Sequence, residues 1–142
     1  MIDTAKFASC LGIALDLLKQ SRGNILVIVG SGNSGKSMLV KKIKEAFPID
    51  RVGRLPISFL SNDVNKSTDW PTEVIKDIQN KIIVSIDDFE DWNNMDVKFI
   101  LELCQNSNLI IETLNVDTRT AMDTNMNNID KRIQTKMTVL EL

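Results

Sequence analysis

From Thr4 to Gln20 the apolar residues Phe7, Cys10, Leu11, Ala14, Leu15 and Leu18 recur every three or four positions. That spacing puts them on one stripe of an α-helix. Arg22-Gly23-Asn24 supplies C-cap chemistry that ends it. The next five residues, ILVIV at 25–29, are continuously apolar and mostly β-branched, which reads as a buried strand. A glycine-rich loop follows, then a helix over 37–47 closed by Pro48. LPISFL at 55–60 reads as a second strand. Pro71 opens a third helix that carries Val74, Ile75 and Ile78 and stops near Asn80. IIVSI at 82–86 is a third strand with Asp87 and Asp88 at its end. The remaining pattern gives a helix over 95–104, a strand at 109–114 (LIIETL) and a polar loop over 116–128. A short helix over 129–135 and a last strand at 136–142 complete the chain.

Buried strands that alternate with amphipathic helices predict an α/β fold around a five-stranded parallel sheet, in three layers. Five strands with their helices in 142 residues leave no room for a second domain, so the expectation is one domain over 1–142, with 1–23 an N-terminal helix before the core.

The loop supplies the first chemistry. Gly30-Ser31-Gly32-Asn33-Ser34-Gly35-Lys36-Ser37 fits G-x-x-x-x-G-K-[ST] at every position. Its glycines let successive backbone amides turn toward one anion, and the following helix aims its positive end at the same point. Gly30 through Ser37, with Met38 just beyond, are therefore the expected cofactor-binding residues for ATP. Lys36 reaches the phosphates and Ser37 ligates Mg2+. Asp87, ending a buried strand about 45 residues downstream, is the second expected magnesium ligand. Asp88 is the expected activator of the attacking water. Asn115, after the 109–114 strand, is a candidate contact to the terminal phosphate, because that strand neighbours the loop's strand in such a core. Lys36, Asp88 and Asn115 make up the expected catalytic set. Arg119, Lys131, Arg132 and Lys136 offer cations for a contact across a subunit interface.

Composition narrows the chemistry further. The chain has no histidine, so a Ser-His-Asp triad and histidine-based acid–base catalysis are excluded. Its two cysteines, Cys10 and Cys104, lie in apolar helical segments and read as buried free thiols of a reducing compartment. A formal net charge of -2 argues against DNA binding through bulk charge. No apolar run is long enough to span a membrane and no signal peptide is visible, so the expected location is cytoplasmic. Asn65-Lys66-Ser67-Thr68-Asp69 has one residue too many for the guanine-reading Asn-Lys-x-Asp pattern, which favours ATP.

The Asp-Asp strand end, the strand leading to Asn115 and the segment from Ile129 to Val139 together resemble AAA+ ATPases, most closely the DnaA-type replication initiators and their shorter relatives. The resemblance runs from Asn24 onward. It implies that Arg132 makes oligomer contacts, and it puts Lys136 where the family carries an arginine finger. Lysine lacks the planar fork of arginine. The 142 residues hold no counterpart of the family's helical lid or of its helix-turn-helix domain. The implied role is that of a Mg-dependent ATPase or nucleotide-switched regulator in DNA replication. Its partner would be a protein of the replication machinery or a second copy of the chain. Three alternatives stand beside it: a viral replication ATPase like the superfamily 3 helicases, a nucleotide-binding module without turnover, and a small P-loop kinase.

Overall fold

The computed structural model describes residues 2–63, 72–90, 92, 94–114 and 129–142. Helix α1 (Thr4–Gln20) is capped by Asp3, whose carboxylate accepts from the Lys6 amide at 3.1 Å. Strand β1 (Ile25–Val29) leads through the glycine-rich loop into α2 (Lys36–Glu45). A 3-10 turn, Ile49–Arg51, precedes β2 (Val52–Leu55), and a second, Ile57–Leu60, follows it. Then come α3 (Thr72–Gln79), β3 (Ile83–Phe89), α4 (Val97–Cys104), β4 (Asn108–Thr113), the single turn α5 (Lys131–Gln134) and β5 (Met137–Glu141).

The five strands form one all-parallel sheet in the order β2-β3-β4-β1-β5. Strand β1 therefore lies between β4 and β5, so β4, the strand that leads toward residue 115, neighbours the loop's strand as expected. All five β1 side chains are buried and alternate between two cores. Leu26 and Ile28 join Ile83, Ile110 and Leu140 beneath Cys10, Ala14 and Leu18 of α1 and Leu39, Val40 and Ile43 of α2. Ile25, Val27 and Val29 join Val84, Ile86, Leu109 and Ile111 on the opposite face, against Phe99, Ile100 and Leu103 of α4 and Ile133 of α5. Each fully buried aliphatic side chain contributes about 2 kcal/mol of transfer free energy, so a strand buried on both faces fixes the register of its neighbours.

Two expectations are corrected. The second strand is 52–55, not 55–60. Pro56, with φ -62, has no amide to give a ladder. The apolar Ile57, Phe59 and Leu60 reach the core from a 3-10 turn instead. Strand β3 runs to Phe89, so Asp87 and Asp88 lie within its last residues rather than after it. The β3–β4 register shifts between Ile86 and Phe89, and Asp88 takes φ 59. The predicted loop over 116–128, Pro71, Asn115 and Arg119 lie outside the described residues.

Candidate functional site

The site forms where the C-terminal ends of β1, β3 and β4 meet the start of α2, beside the point where the sheet order departs from chain order. Gly30 leaves β1 at φ 156 and Gly35 enters α2 at φ 94. A side chain at Gly30 would sit 2.9 Å from the Leu142 carbonyl oxygen, so the position has no room for a Cβ. Gly35 is the α2 N-cap and provides no side-chain cap. The amides of the helix's first turn are therefore left to an external acceptor, the usual arrangement at anion-binding helix starts. Ser34 closes the loop on itself: its amide and hydroxyl both donate to the Ser31 carbonyl, at 3.1 and 2.7 Å.

Lys36 is only 7% exposed and folds back over the loop. Its ammonium donates to the carbonyls of Gly30 and Ser31, at 2.5 and 3.3 Å. Burial pulls its pKa down, and the Glu112 carboxylate acts against that shift. Ser37 points toward β4, where its hydroxyl donates to Glu112 Oε2 at 2.8 Å. Met38, next along, is half exposed beside the loop and lines a small pocket with Lys36, Asp88 and Glu112.

A wider groove continues from Ser37 along α2, past Lys41, Lys44, Arg54, Asp87 and Asp88. Asp87 is paired with Arg54 at 2.7 Å. Lys44 faces this charge cluster. Burial lowers its pKa; Asp87 and Glu112 counter that shift, while Arg54 adds to it. Asp88 lines both the small pocket and the groove. The fold thus brings Lys36, Ser37, Asp87 and Asp88 to one place, beside Glu112. Glu112, Lys44 and Arg54 are additions the sequence reading did not make. Glu112 carried a usable signal: it is the one charged residue in a strand whose other five residues are buried, where a carboxylate needs a partner.

Arg132 and Lys136 lie elsewhere. Lys136 directly precedes β5, and its carbonyl accepts from the Ile25 amide at 2.8 Å, at the N-terminal edge of the sheet. The 30–37 loop stands at the C-terminal edge. Arg132 forms a two-pronged pair with its neighbour Asp130, at 3.1 and 3.0 Å. Those bonds hold the Asp130 carboxyl below its ordinary range. Asn115 lies outside the described residues.

The donor set is hard oxygen only. Among the described residues no three cysteine or acidic side chains converge on a metal-holding cluster. Magnesium tolerates that, since it keeps several waters and takes phosphate oxygens beside one or two protein ligands. The hydroxyl of Ser37 and the neighbouring carboxylates fit such an ion. Among the described residues no helix is long and apolar enough to cross a membrane.

The class established is an α/β protein with a five-stranded all-parallel sheet. No protein-family model matches the chain, and no curated protein matches it in sequence. A solved structure with a similar fold is that of a protein from Streptococcus pyogenes serotype M3, provisionally named a primosome component. Its TM-score is 0.60 at 15% identity, over 95% of this chain and 78% of that one. At that identity the likeness is one of fold.

Proposed function

We propose that this chain binds Mg-ATP in the 30–37 loop and works as an AAA+-like ATPase or nucleotide-switched regulator in DNA replication. The observation that carries the reading is the loop itself. Two glycines at positive φ bracket it, a helix start without a side-chain cap faces it, and a buried lysine lies across it. Those are the features an oligophosphate needs. The strand order and the AAA+ resemblance support the class. The replication role draws on that resemblance and on the name of the Streptococcus pyogenes protein of similar fold.

The first-turn amides and Lys36 would hold the β- and γ-phosphates. Ser37 and a nearby carboxylate would hold magnesium, which supplies charge neutralisation on the phosphates. Asp88, exposed at the end of β3, would orient the attacking water. Arg132 and Lys136, at the far edge of the sheet, would serve a second copy or a partner protein rather than their own chain.

One observation favours binding without turnover as a second reading. Lys136, which the resemblance puts at the finger position, is not an arginine, and Arg132 is already paired within its own chain. Phosphate release from Mg-ATP, with and without single-stranded and duplex DNA, separates the two. DNA-stimulated release that Asp88→Asn abolishes supports the ATPase. ATP binding without release supports the regulatory module. Absence of ATP binding by the wild-type chain would refute both.

A further inference from the structure

We infer that Glu112, and not Asp87, is the carboxylate that sets the magnesium affinity of the site, acting as a positioning residue through the Ser37 hydroxyl. The inference rests on the nucleotide reading above. A serine hydroxyl has one proton to donate and two lone pairs to offer. In this chain the proton is committed to Glu112 Oε2 at 2.8 Å. Both lone pairs are then left for a cation, and the hydroxyl cannot swing its proton toward it. The hydrogen bond to a carboxylate also makes the oxygen a better donor, as outer-sphere partners generally do for metal ligands.

Strand geometry explains why the role falls to β4. Ile110 belongs to the core beneath α1 and α2. Glu112, two residues on, points to the same face, toward α2. Its register partner on β1 is Ile28, two residues before Gly30. Glu112 is therefore level with the root of the loop and is also close enough to act on both Lys36 and Lys44. Asp87 is differently placed: its charge is matched by Arg54 at 2.7 Å, so less of it remains for a cation.

The test is a magnesium titration of fluorescent ATP-analogue binding, with a parallel measurement in EDTA, for wild type, Glu112→Gln, Asp87→Asn, Ser37→Ala and the Ser37→Ala/Glu112→Gln double variant. Thermal unfolding of each variant reports folding. Glu112→Gln is expected to raise the half-saturating magnesium concentration about tenfold. In EDTA it should bind the analogue as tightly as wild type or more tightly, since a negative charge beside the phosphates is gone. A merely structural role would weaken binding in both conditions. Asp87→Asn should move the magnesium midpoint less than Glu112→Gln does. Once Ser37→Ala is in place, adding Glu112→Gln should move the midpoint little further, because the hydroxyl through which Glu112 acts is gone. A magnesium midpoint unchanged by Glu112→Gln, or moved more by Asp87→Asn, would overturn the inference while leaving nucleotide binding intact. A wild-type chain that takes up no analogue at any magnesium concentration would overturn the nucleotide reading itself, and this inference with it.

Discussion

Arg54 on β2 and Asp87 on β3 are joined at 2.7 Å across neighbouring parallel strands. Arg54 stands opposite Ser85 in the register, and Asp87, two residues further, shares Ser85's face. The pair therefore closes the groove on the α2 side, where Lys44 also faces it. A carboxylate that reads in sequence as a metal ligand is, in the fold, also half of an ion pair.

Arg54 is 65% exposed, so the pair adds less than about 1 kcal/mol to stability. Arg54→Ala should shift the urea-unfolding free energy by no more than that amount. It should nonetheless lower the magnesium concentration needed for ATP-analogue binding, roughly threefold, because a cation leaves the groove and Asp87 is released. A magnesium titration that matches wild type would place Asp87 outside the metal's reach.

Much of this architecture is legible from residue order. ILVIV between two glycine-containing segments can hardly be anything but a strand buried on both faces, and all five residues are buried. The glycine-rich loop announces itself by pattern. Strand β2 does not: it is an edge strand, VGRL, in which only Leu55 is fully buried. Its signal is weaker than that of the apolar LPISFL beside it, and periodicity cannot separate a strand from an apolar 3-10 turn. Glu112 and Arg54 escaped for another reason. Each matters through a partner far along the chain, 75 residues away for Ser37 and Glu112, and pairing at that range follows from strand order rather than local pattern.

Asn108 is a structural counterpart at the opposite edge of the sheet. Fully buried, it accepts from the Asn24 amide at 3.0 Å and donates to the carbonyls of Leu18 and Ser21, at 3.3 and 3.1 Å. It therefore ties the end of α1 to the start of β1. Asn108→Ala removes the partner of the Asn24 amide and leaves the Ser21 carbonyl only its bond from the Asn24 side chain, and should cost about 3 kcal/mol in urea unfolding. Nucleotide affinity measured well below the unfolding midpoint should be unchanged, since the loop lies at the other end of β1. A loss under about 0.5 kcal/mol, the size of a typical surface substitution, would show that water replaces the side chain.

Cys104 gives the fold a pH dependence with a definite sign. Burial raises its thiol pKa from 9.0 to about 11. Below pH 9 the thiol is protonated in both states. As pH rises from about 9 to 11 the unfolded chain gives up its proton and the folded chain keeps it. Stability therefore falls across that window, by up to about 2.5 kcal/mol. Chemical denaturation at several pH values should show this decline in wild type and a flatter profile in Cys104→Ala. Parallel profiles would mean that the folded thiol ionises as freely as the unfolded one.

Lys36 separates folding from binding most sharply. The residue is 7% exposed and its pKa is pulled down by burial, so holding the charge there works against stability. The two loop carbonyls that accept from it return only part of that cost. Lys36→Met keeps the length and the apolar stem and removes the charge. Its unfolding free energy should stay within about 1 kcal/mol of wild type. Affinity for an ATP analogue should fall by about thirtyfold or more, because charge-assisted bonds to phosphate are lost and a buried apolar end offers nothing in return. Calorimetric titration beside thermal unfolding would measure both. If stability fell steeply while affinity held, Lys36 would be a strut for the loop's carbonyls, and the 30–37 loop would be a turn rather than a phosphate cradle.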